Sequence, residues 1–161
     1  MKNISYIDFE TPVENHNTIP WASANGYCLN NKKEVCIVWE EEKGVWNLPG
    51  GGKEVGETPE QTFRREVEEE TQCIPSNIKY LHSVYARCFE DVNNETAYTE
   101  DPRCFRFICT LENIEPFIPR KNGMEIDERK FVSIDELPQY IPWLENSENG
   151  RESFRAFKGC I

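Results

Sequence analysis

The stretch from Leu48 to Cys73, LPGGGKEVGETPEQTFRREVEEETQC, brings many carboxylates close together, with seven glutamates, four glycines and two arginines. Glu66, Glu69 and Glu70 stand at i, i+3 and i+4, so a helix places all three on one flank. Each like-charge pair at that spacing costs about 0.2–0.5 kcal/mol. A hard cation with oxygen ligands, Mg²⁺ or Mn²⁺, would convert this repulsion into coordination. The stretch therefore predicts a divalent-metal site, with a solvated acidic face as the alternative.

A glycine-rich turn precedes these carboxylates. Its glycines allow the backbone to bend tightly and to expose carbonyl groups to the same ion; they are Gly50, Gly51, Gly52 and Gly56. The turn is not a nucleoside-triphosphate P-loop, because Lys53 is followed by glutamate rather than by serine or threonine. The glycines thus favour the metal site over the solvated face.

A helix from Pro59 to Thr71 is predicted to carry the carboxylates. Thr58 is a suitable N-cap, and Gln61 can complete a capping box with it. At about 100° per residue, one stripe of the helix is apolar and predicted to be buried; it consists of Phe63, Val67 and Thr71. Of the three glutamates, Glu70 lies closest to the edge of that stripe.

This stretch resembles the signature of the Nudix hydrolase family, G-x5-E-x7-R-E-U-x-E-E-x-G-U, in which U is a bulky apolar residue. The matching residues are Gly51, Glu57, Arg65, Glu66, Val67, Glu69 and Glu70. Two positions depart from it, because Gln72 replaces the last glycine and Cys73 the last apolar residue. A left-handed helix end costs residues other than glycine about 1–2 kcal/mol, so Gln72→Gly is predicted to stabilise the protein with little effect on activity.

The resemblance implies an α/β fold, a Nudix-type α/β/α sandwich with a mixed β-sheet. It also implies that Mg²⁺, or Mn²⁺ as a substitute, binds to Glu66 and Glu70, together with Glu69 and the carbonyl of Gly50. Gly51 and Glu57 would support this site.

The resemblance further assigns catalytic roles to Glu69, Glu70 and Arg65, with Arg65 orienting the carboxylates. Hydrolysis of a phosphoanhydride needs a carboxylate that accepts a proton from the attacking water. This general base is left open, because a loop carboxylate could also serve; the candidates are Glu69, Glu70, Glu125 and Asp127.

The implied activity is that of a Mg²⁺-dependent pyrophosphohydrolase cleaving a nucleoside diphosphate linked to another moiety. A nucleoside triphosphate is favoured over ADP-ribose, because the chain is short for the additional N-terminal segment common in ADP-ribose enzymes. Two alternatives are a Nudix-fold nucleotide-binding or regulatory module without turnover and an enzyme acting on non-nucleotide diphosphates. The clustered carboxylates favour the enzyme, because a binding module has no need to keep them.

The surrounding sequence predicts a single domain over residues 1–161, with residues 1–19 as an arm or a short edge element. Residues 77–90 alternate as a long strand that places Tyr80 and His82 on one face, with His82 as a core histidine. A polar loop is predicted over residues 91–102, either as a recognition loop or as a solvated hairpin connection. This loop carries Tyr98, and we predict that Tyr98 and Glu125 bind the substrate.

The composition limits the possible partners. A formal net charge of −11 argues against nucleic-acid polymers and anionic membranes, both of which favour a basic face. No segment approaches the roughly 18 apolar residues of a membrane span. The seven cysteines include no CxxC pair, which favours reduced thiols over a zinc site. We therefore expect a soluble cytoplasmic protein that acts on a nucleotide-type small molecule, in an oligomeric state that the sequence leaves open.

Overall fold

A mixed β-sheet organises the chain in the computed structural model, which describes residues 2–119 and 126–161. Its strands in this part of the chain are β1 (Lys2–Asp8), β2 (Trp21–Leu29), β3 (Val35–Glu40), β4 (Val45–Asn47), β5 (Gly50–Gly52), β6 (Ile74–Val92), β7 (Glu95–Glu100), β8 (Arg103–Glu112) and β9 (Ile126–Val132). The order across the sheet is β1-β6-β8-β2-β3-β4, with β5 paired to β2, β7 to β6 and β9 to β3. Strands β2 and β8 run parallel, whereas the other pairs are antiparallel.

Helices cover both faces of this sheet. They are α1 (Pro59–Thr71), α2 (Leu137–Tyr140), α3 (Trp143–Asn146) and α4 (Glu148–Lys158). On one face Phe63 of α1 stacks on Phe107, with ring centroids 5.1 Å apart. On the other face Phe157 of α4 stacks on Tyr27 at 4.1 Å. The two apolar cores lie on opposite sides of the sheet, which confirms the predicted α/β/α sandwich.

Helix α1 has the predicted bounds, and its local sequence explains both of them. The Thr58 side chain accepts a hydrogen bond from the backbone N–H of Gln61, and the Gln61 side chain accepts one from the backbone of Thr58. Phe63, Val67 and Thr71 are fully buried, as the stripe predicts. None of the helices within the described ranges is long and apolar enough to cross a membrane.

The N-terminal residues form an edge strand rather than a free arm. Strand β1 pairs with β6 along its whole length, from Lys2 opposite Phe89 to Asp8 opposite Ser83. Nη1 of Arg103 donates a hydrogen bond of 2.6 Å to the Asp8 carboxylate. Of the two alternatives predicted for residues 1–19, the edge element is therefore the one observed.

The prediction of a loop over residues 91–102 is wrong, because most of these residues belong to strands. Strand β6 continues to Val92, and β7 pairs back onto it, with Tyr98 opposite Phe89. Asn93 and Asn94 between them have φ angles of 53° and 64°. Two consecutive residues in this left-handed conformation form the tight hairpin turn that asparagine tolerates well. Residues 91–102 therefore form a hairpin connection, one of the two interpretations of this segment, rather than an irregular loop.

A bulge in β6 also overturns the predicted common face of Tyr80 and His82. The pairing of β6 with β8 shifts register between these two residues. Tyr80 consequently packs against Phe105 and Phe107 on the α1 side. The fully buried His82 points to the other side, where its Nε2 lies 2.9 Å from Oγ of Ser153 on α4. The assignment of His82 to the core is confirmed.

Gln72 ends helix α1 in the left-handed conformation, with φ 59° and ψ 27°. Its side chain has a further function, because the amide forms two hydrogen bonds with the backbone of Ile118. Nε2 donates to the carbonyl oxygen at 2.8 Å, and Oε1 accepts from the N–H at 2.9 Å. This residue therefore ties the chain after β8 to the end of the helix.

These bonds change the stability expected for Gln72→Gly. Glycine relieves about 1 kcal/mol of backbone cost, but the loss of two hydrogen bonds costs a comparable amount. We expect the free energy of unfolding of Gln72→Gly to lie within about 1 kcal/mol of wild type. Gln72→Ala loses the bonds and keeps the strained backbone, so it should be about 1 kcal/mol less stable than the glycine variant. Urea denaturation measures both, and equal stability of the two variants would contradict a strained helix end.

Candidate active site

The glycine turn lies directly against helix α1. The backbone N–H of Gly50 donates a hydrogen bond of 2.8 Å to Oε1 of Glu70. Glu70 is buried, and Gly50 itself is fixed by pairing with Asn25 of β2. The carboxylate of Glu70, at the buried edge of α1, is thus hydrogen-bonded to the backbone of the turn.

Gly51 provides the space that Glu66 occupies. A Cβ atom at Gly51 would lie 2.6 Å from the carboxylate carbon of Glu66 and 2.7 and 2.8 Å from its two oxygens. These distances are shorter than real Cβ contacts, so a side chain at this position would displace the carboxylate. Glycine at this position therefore lets the Glu66 carboxylate lie against the turn, and its own backbone conformation is not unusual.

Arg65 connects the carboxylates with the turn. Its guanidinium donates two hydrogen bonds to Glu57, at 2.8 and 3.0 Å, and one to Oε1 of Glu66 at 2.9 Å. A further bond of 2.8 Å reaches the carbonyl oxygen of Gly52, and a longer one of 3.4 Å reaches Glu69. One planar side chain thereby fixes three carboxylates relative to the glycine turn.

The pairing of Arg65 with Glu57 shifts the pKa of both residues. Hydrogen bonding from Arg65 lowers the pKa of Glu57 to about 2, and burial only partly opposes this effect. The same hydrogen bond, with Glu66 adding to it, raises the pKa of Arg65 above its ordinary value. Glu57 is therefore charged across the physiological range and balances the guanidinium.

The lowered pKa of Glu57 predicts a pH dependence of stability. The ordinary pKa of Glu57 is 4.5 and its value in the folded protein is about 2. The stabilisation that the charged Glu57 contributes is therefore complete above pH 4.5 and is lost as the pH falls towards 2. We expect the unfolding free energy of wild type to fall more between about pH 6 and about pH 3 than that of Glu57→Gln. Urea denaturation at both pH values measures the difference, with Glu42→Gln, an exposed turn residue, as control. An equal decrease in unfolding free energy in all three proteins would contradict a stabilising contact between Glu57 and Arg65.

The oxygen donors at this junction fit a hard divalent cation. Within residues 2–119 and 126–161, no three histidine, cysteine, aspartate or glutamate side chains are arranged to hold a metal by themselves. Mg²⁺ does not require such a cage, because it commonly binds one or two carboxylates and completes its shell with water and substrate phosphates. Glu66 and Glu70 supply two carboxylates at the turn. Because Gly51 has no side chain, the Glu66 carboxylate lies directly against the backbone of the turn.

The structure does not bring Tyr98, one of the two predicted substrate-binding residues, to this junction. Tyr98 is exposed on β7, and its ring contacts are with Phe89 and with the guanidinium of Arg87. None of these residues belongs to helix α1 or to the glycine turn. Glu125 lies outside the described residues, and Asp127 falls in β9. Substrate binding by Tyr98 and Glu125 therefore stays a prediction.

A polar connection on the α4 side of the turn was missed in the sequence. Nε of Arg106 in β8 donates a hydrogen bond of 3.0 Å to Oδ1 of Asn25, the residue that pairs with Gly50. Nη1 of Arg106 donates to Oγ of Ser153 at 2.9 Å. An arginine among the apolar residues of RCFRFIC is the signal that could have revealed it, since charged residues are rarely buried without a partner.

Comparisons with known proteins agree with this geometry. The model of the NUDIX domain matches residues 20–154. An RNA pyrophosphohydrolase of Francisella tularensis subsp. mediasiatica is 27% identical over 112 residues, which cover 65% of this chain and 72% of the relative. A nucleoside triphosphate pyrophosphatase/Nudix hydrolase fusion protein of Bifidobacterium longum is 31% identical over 100 residues, 62% of this chain but 18% of that protein.

Solved structures show the same fold. The crystal structure of a Bacillus subtilis pyrophosphohydrolase superposes with a TM-score of 0.70 at 17% identity, covering 98% of this chain and 92% of that one. An Ap4A hydrolase of C. elegans superposes with a TM-score of 0.57 at 15% identity, over 85% and 94% of the two chains. The chain belongs to the Nudix family, and it is a hydrolase.

Proposed function

We propose that this hydrolase cleaves a phosphoanhydride bond in a substrate that carries at least two phosphates on a nucleoside, with Mg²⁺ as its metal. One observation carries the proposal: Arg65 holds Glu57, Glu66 and Glu69 against the glycine turn to which Glu70 is bonded. Phosphoryl chemistry needs little more from a protein than carboxylates and cations held in fixed positions.

Each residue of the junction has a definable role. Glu66 and Glu70 would hold the Mg²⁺, with Glu69 and the carbonyl of Gly50 as further ligands. When bound, the ion neutralises non-bridging phosphate oxygens and lowers the pKa of the attacking water. Arg65 keeps Glu66 in position through a 2.9 Å hydrogen bond, so little reorganisation is needed when substrate arrives.

A carboxylate at the junction accepts the proton of the attacking water. Glu69 is half exposed and makes a long contact of 3.4 Å with Arg65, so water reaches it readily. Glu70 commits one oxygen to the N–H of Gly50. Both residues can serve as general base.

Two substrate classes are supported by different observations. The first is a nucleoside triphosphate, which the net charge of −11 favours over a nucleic-acid polymer. The second is the phosphorylated end of an RNA, which is favoured by the RNA pyrophosphohydrolases among the relatives. The net charge of −11 disfavours a long RNA more than a terminal phosphate group, because a polymer presents many more phosphates to the acidic protein.

A substrate panel tests the proposal and separates the two classes. The purified protein is incubated with the nucleoside triphosphates, ADP-ribose and a short RNA bearing a 5′-triphosphate, with Mg²⁺ or with EDTA. We expect Mg²⁺-dependent release of phosphate or pyrophosphate, with the highest kcat/KM for nucleoside triphosphates. A higher kcat/KM for the RNA would select the second class. Failure to hydrolyse any of these compounds would overturn the proposal.

A further inference from the structure

A cavity lies on the α4 side of the sheet. Its volume is about 320 Å³, and it opens between β6, β8 and the beginning of α4. The residues that line it and matter for its chemistry are Tyr85, Asp101, Arg106, Trp143, Asn149 and Gly150. None of these residues belongs to helix α1 or to the glycine turn.

The floor of this cavity is a buried cation without a buried counter-charge. Arg106 is only 6% exposed, and its hydrogen bonds go to the neutral groups of Asn25 and Ser153. Across the described part of the chain, no carboxylate lies within ion-pair distance of its guanidinium. A buried charge normally has such a partner, because desolvation without one is costly.

The groups packed around Arg106 supply no negative charge, although the ring of Trp143 lies 4.9 Å from the guanidinium carbon as a cation–π partner. His82 shares the Ser153 hydroxyl with it, and burial followed by the positive charge of Arg106 lowers the pKa of His82 to about 3. Burial raises the pKa of the Tyr27 hydroxyl, which also bonds to Ser153. Both groups are therefore neutral at physiological pH. Asp101 is exposed at the cavity wall, where solvent screens its charge.

A second positive element converges on the same cavity. Helix α4 begins at Glu148, and Ser147, Asn149 and Gly150 of its first turn line the cavity wall. The first turn of a helix carries a partial positive charge and N–H groups that have no partner within the helix. The Ser147 hydroxyl accepts from the N–H of Gly150 and so caps the turn. A helix N-terminus beside a guanidinium is an arrangement that favours anions.

We propose that this cavity binds a phosphate group between Arg106 and the first turn of α4. The guanidinium offers a planar donor fork, which suits phosphate oxygens, and residues of the first turn of α4 line the same cavity. Asn25 joins Arg106 to the strand that carries Gly50, so the site borders the catalytic junction without sharing a residue with it. The phosphate comes either from a substrate that extends past its reacting phosphates or from free orthophosphate.

Binding of inorganic phosphate tests the site without any measurement of activity. The wild-type protein is titrated with sodium phosphate in EDTA at constant ionic strength, and its Tm is followed. We expect a saturable rise in Tm, because a ligand that binds only the folded state stabilises it.

Asn149→Asp is the decisive variant. A carboxylate in the first turn suits the helix but repels an anion in the cavity, so the fold should survive while phosphate affinity falls by about tenfold or more. Asn31→Asp in the exposed β2–β3 turn makes the same charge change elsewhere and should bind as wild type does. Arg106→Gln, which removes the cation, should also abolish the Tm rise. An unchanged phosphate affinity in Asn149→Asp, or the absence of any rise in wild type, would overturn the proposal.

Kinetics then distinguish the two sources of the phosphate. A 5′-triphosphorylated dinucleotide carries a phosphodiester that a nucleoside triphosphate lacks. A higher KM of Asn149→Asp for the dinucleotide alone would support the site as part of the substrate path. An unchanged KM for both compounds, together with the lost Tm rise, would support it as a site for free orthophosphate. This second measurement rests on the proposed function, whereas the titration does not, so the two can fail separately.

Discussion

Glu70→Gln is expected to lower kcat by about a hundredfold or more at saturating Mg²⁺, while the protein remains folded. The substitution removes the negative charge that a metal ligand must supply. The amide oxygen can still accept the hydrogen bond that the N–H of Gly50 donates to Oε1 of Glu70. It also relieves the repulsion between Glu66 and Glu70, which are one helical turn apart.

The comparison with Glu68→Gln makes this result specific. Glu68 is exposed on the same helix, so the control changes charge by the same amount without touching the junction. Its kcat should stay within about twofold of wild type, as is usual for surface substitutions. Circular dichroism and urea denaturation establish that both variants are folded. A kcat near wild type for Glu70→Gln would show that Glu70 is neither a metal ligand nor a catalytic residue.

Helix α1 was predictable in detail because its determinants are local. The cap formed by Thr58 and Gln61, the buried stripe and the left-handed Gln72 all follow from residues a few positions apart. The carboxylate flank depends on the same helical periodicity. The fold class followed from the mixture of strands and helices together with the family signature.

The parts that sequence reasoning missed depend on contacts between distant residues. The bulge that separates Tyr80 from His82 adds one residue to a strand without changing its composition. The residues of the hairpin around Asn93 and Asn94 are as polar as those of a loop, so the sequence did not reveal the two-residue turn. Arg106 alternates with phenylalanines in β8, as an exposed residue would. Its burial depends on α4, about 45 residues further along the chain.

The partners of Arg65 were only partly predictable. The contact with Glu69 follows from helical spacing, because the two residues are one turn apart. The stronger bonds to Glu57 and to the carbonyl of Gly52 depend on how the turn folds back onto the helix. The family signature implied that Arg65 orients carboxylates, and the structure shows that Arg65 also binds the turn itself. The glycine turn is thus attached to the helix both by Arg65 and by Glu70, which makes its packing sensitive to small changes.

Gly51→Ala tests that packing directly, and we expect it to lower kcat by about a hundredfold with little loss of stability. The backbone of Gly51 is not in the left-handed region, so alanine can adopt its conformation. The added methyl group would stand 2.6 Å from the carboxylate carbon of Glu66, which has to move away. Displacement of a catalytic group by about 1 Å can cost a hundredfold in rate.

Gly52→Ala is the matched control for this change, because it lies in the same turn. A Cβ atom there would meet only the carbonyl oxygen of Ala22, at an ordinary contact distance of 3.9 Å. Since nothing has to move, its kcat should stay within about threefold of wild type. Steady-state kinetics at saturating Mg²⁺ compare the two variants, and urea denaturation confirms that both are folded. If the two alanine variants had equal kcat values, the position of the Glu66 carboxylate would not limit the reaction, and the close fit between Glu66 and Gly51 would have only a structural role.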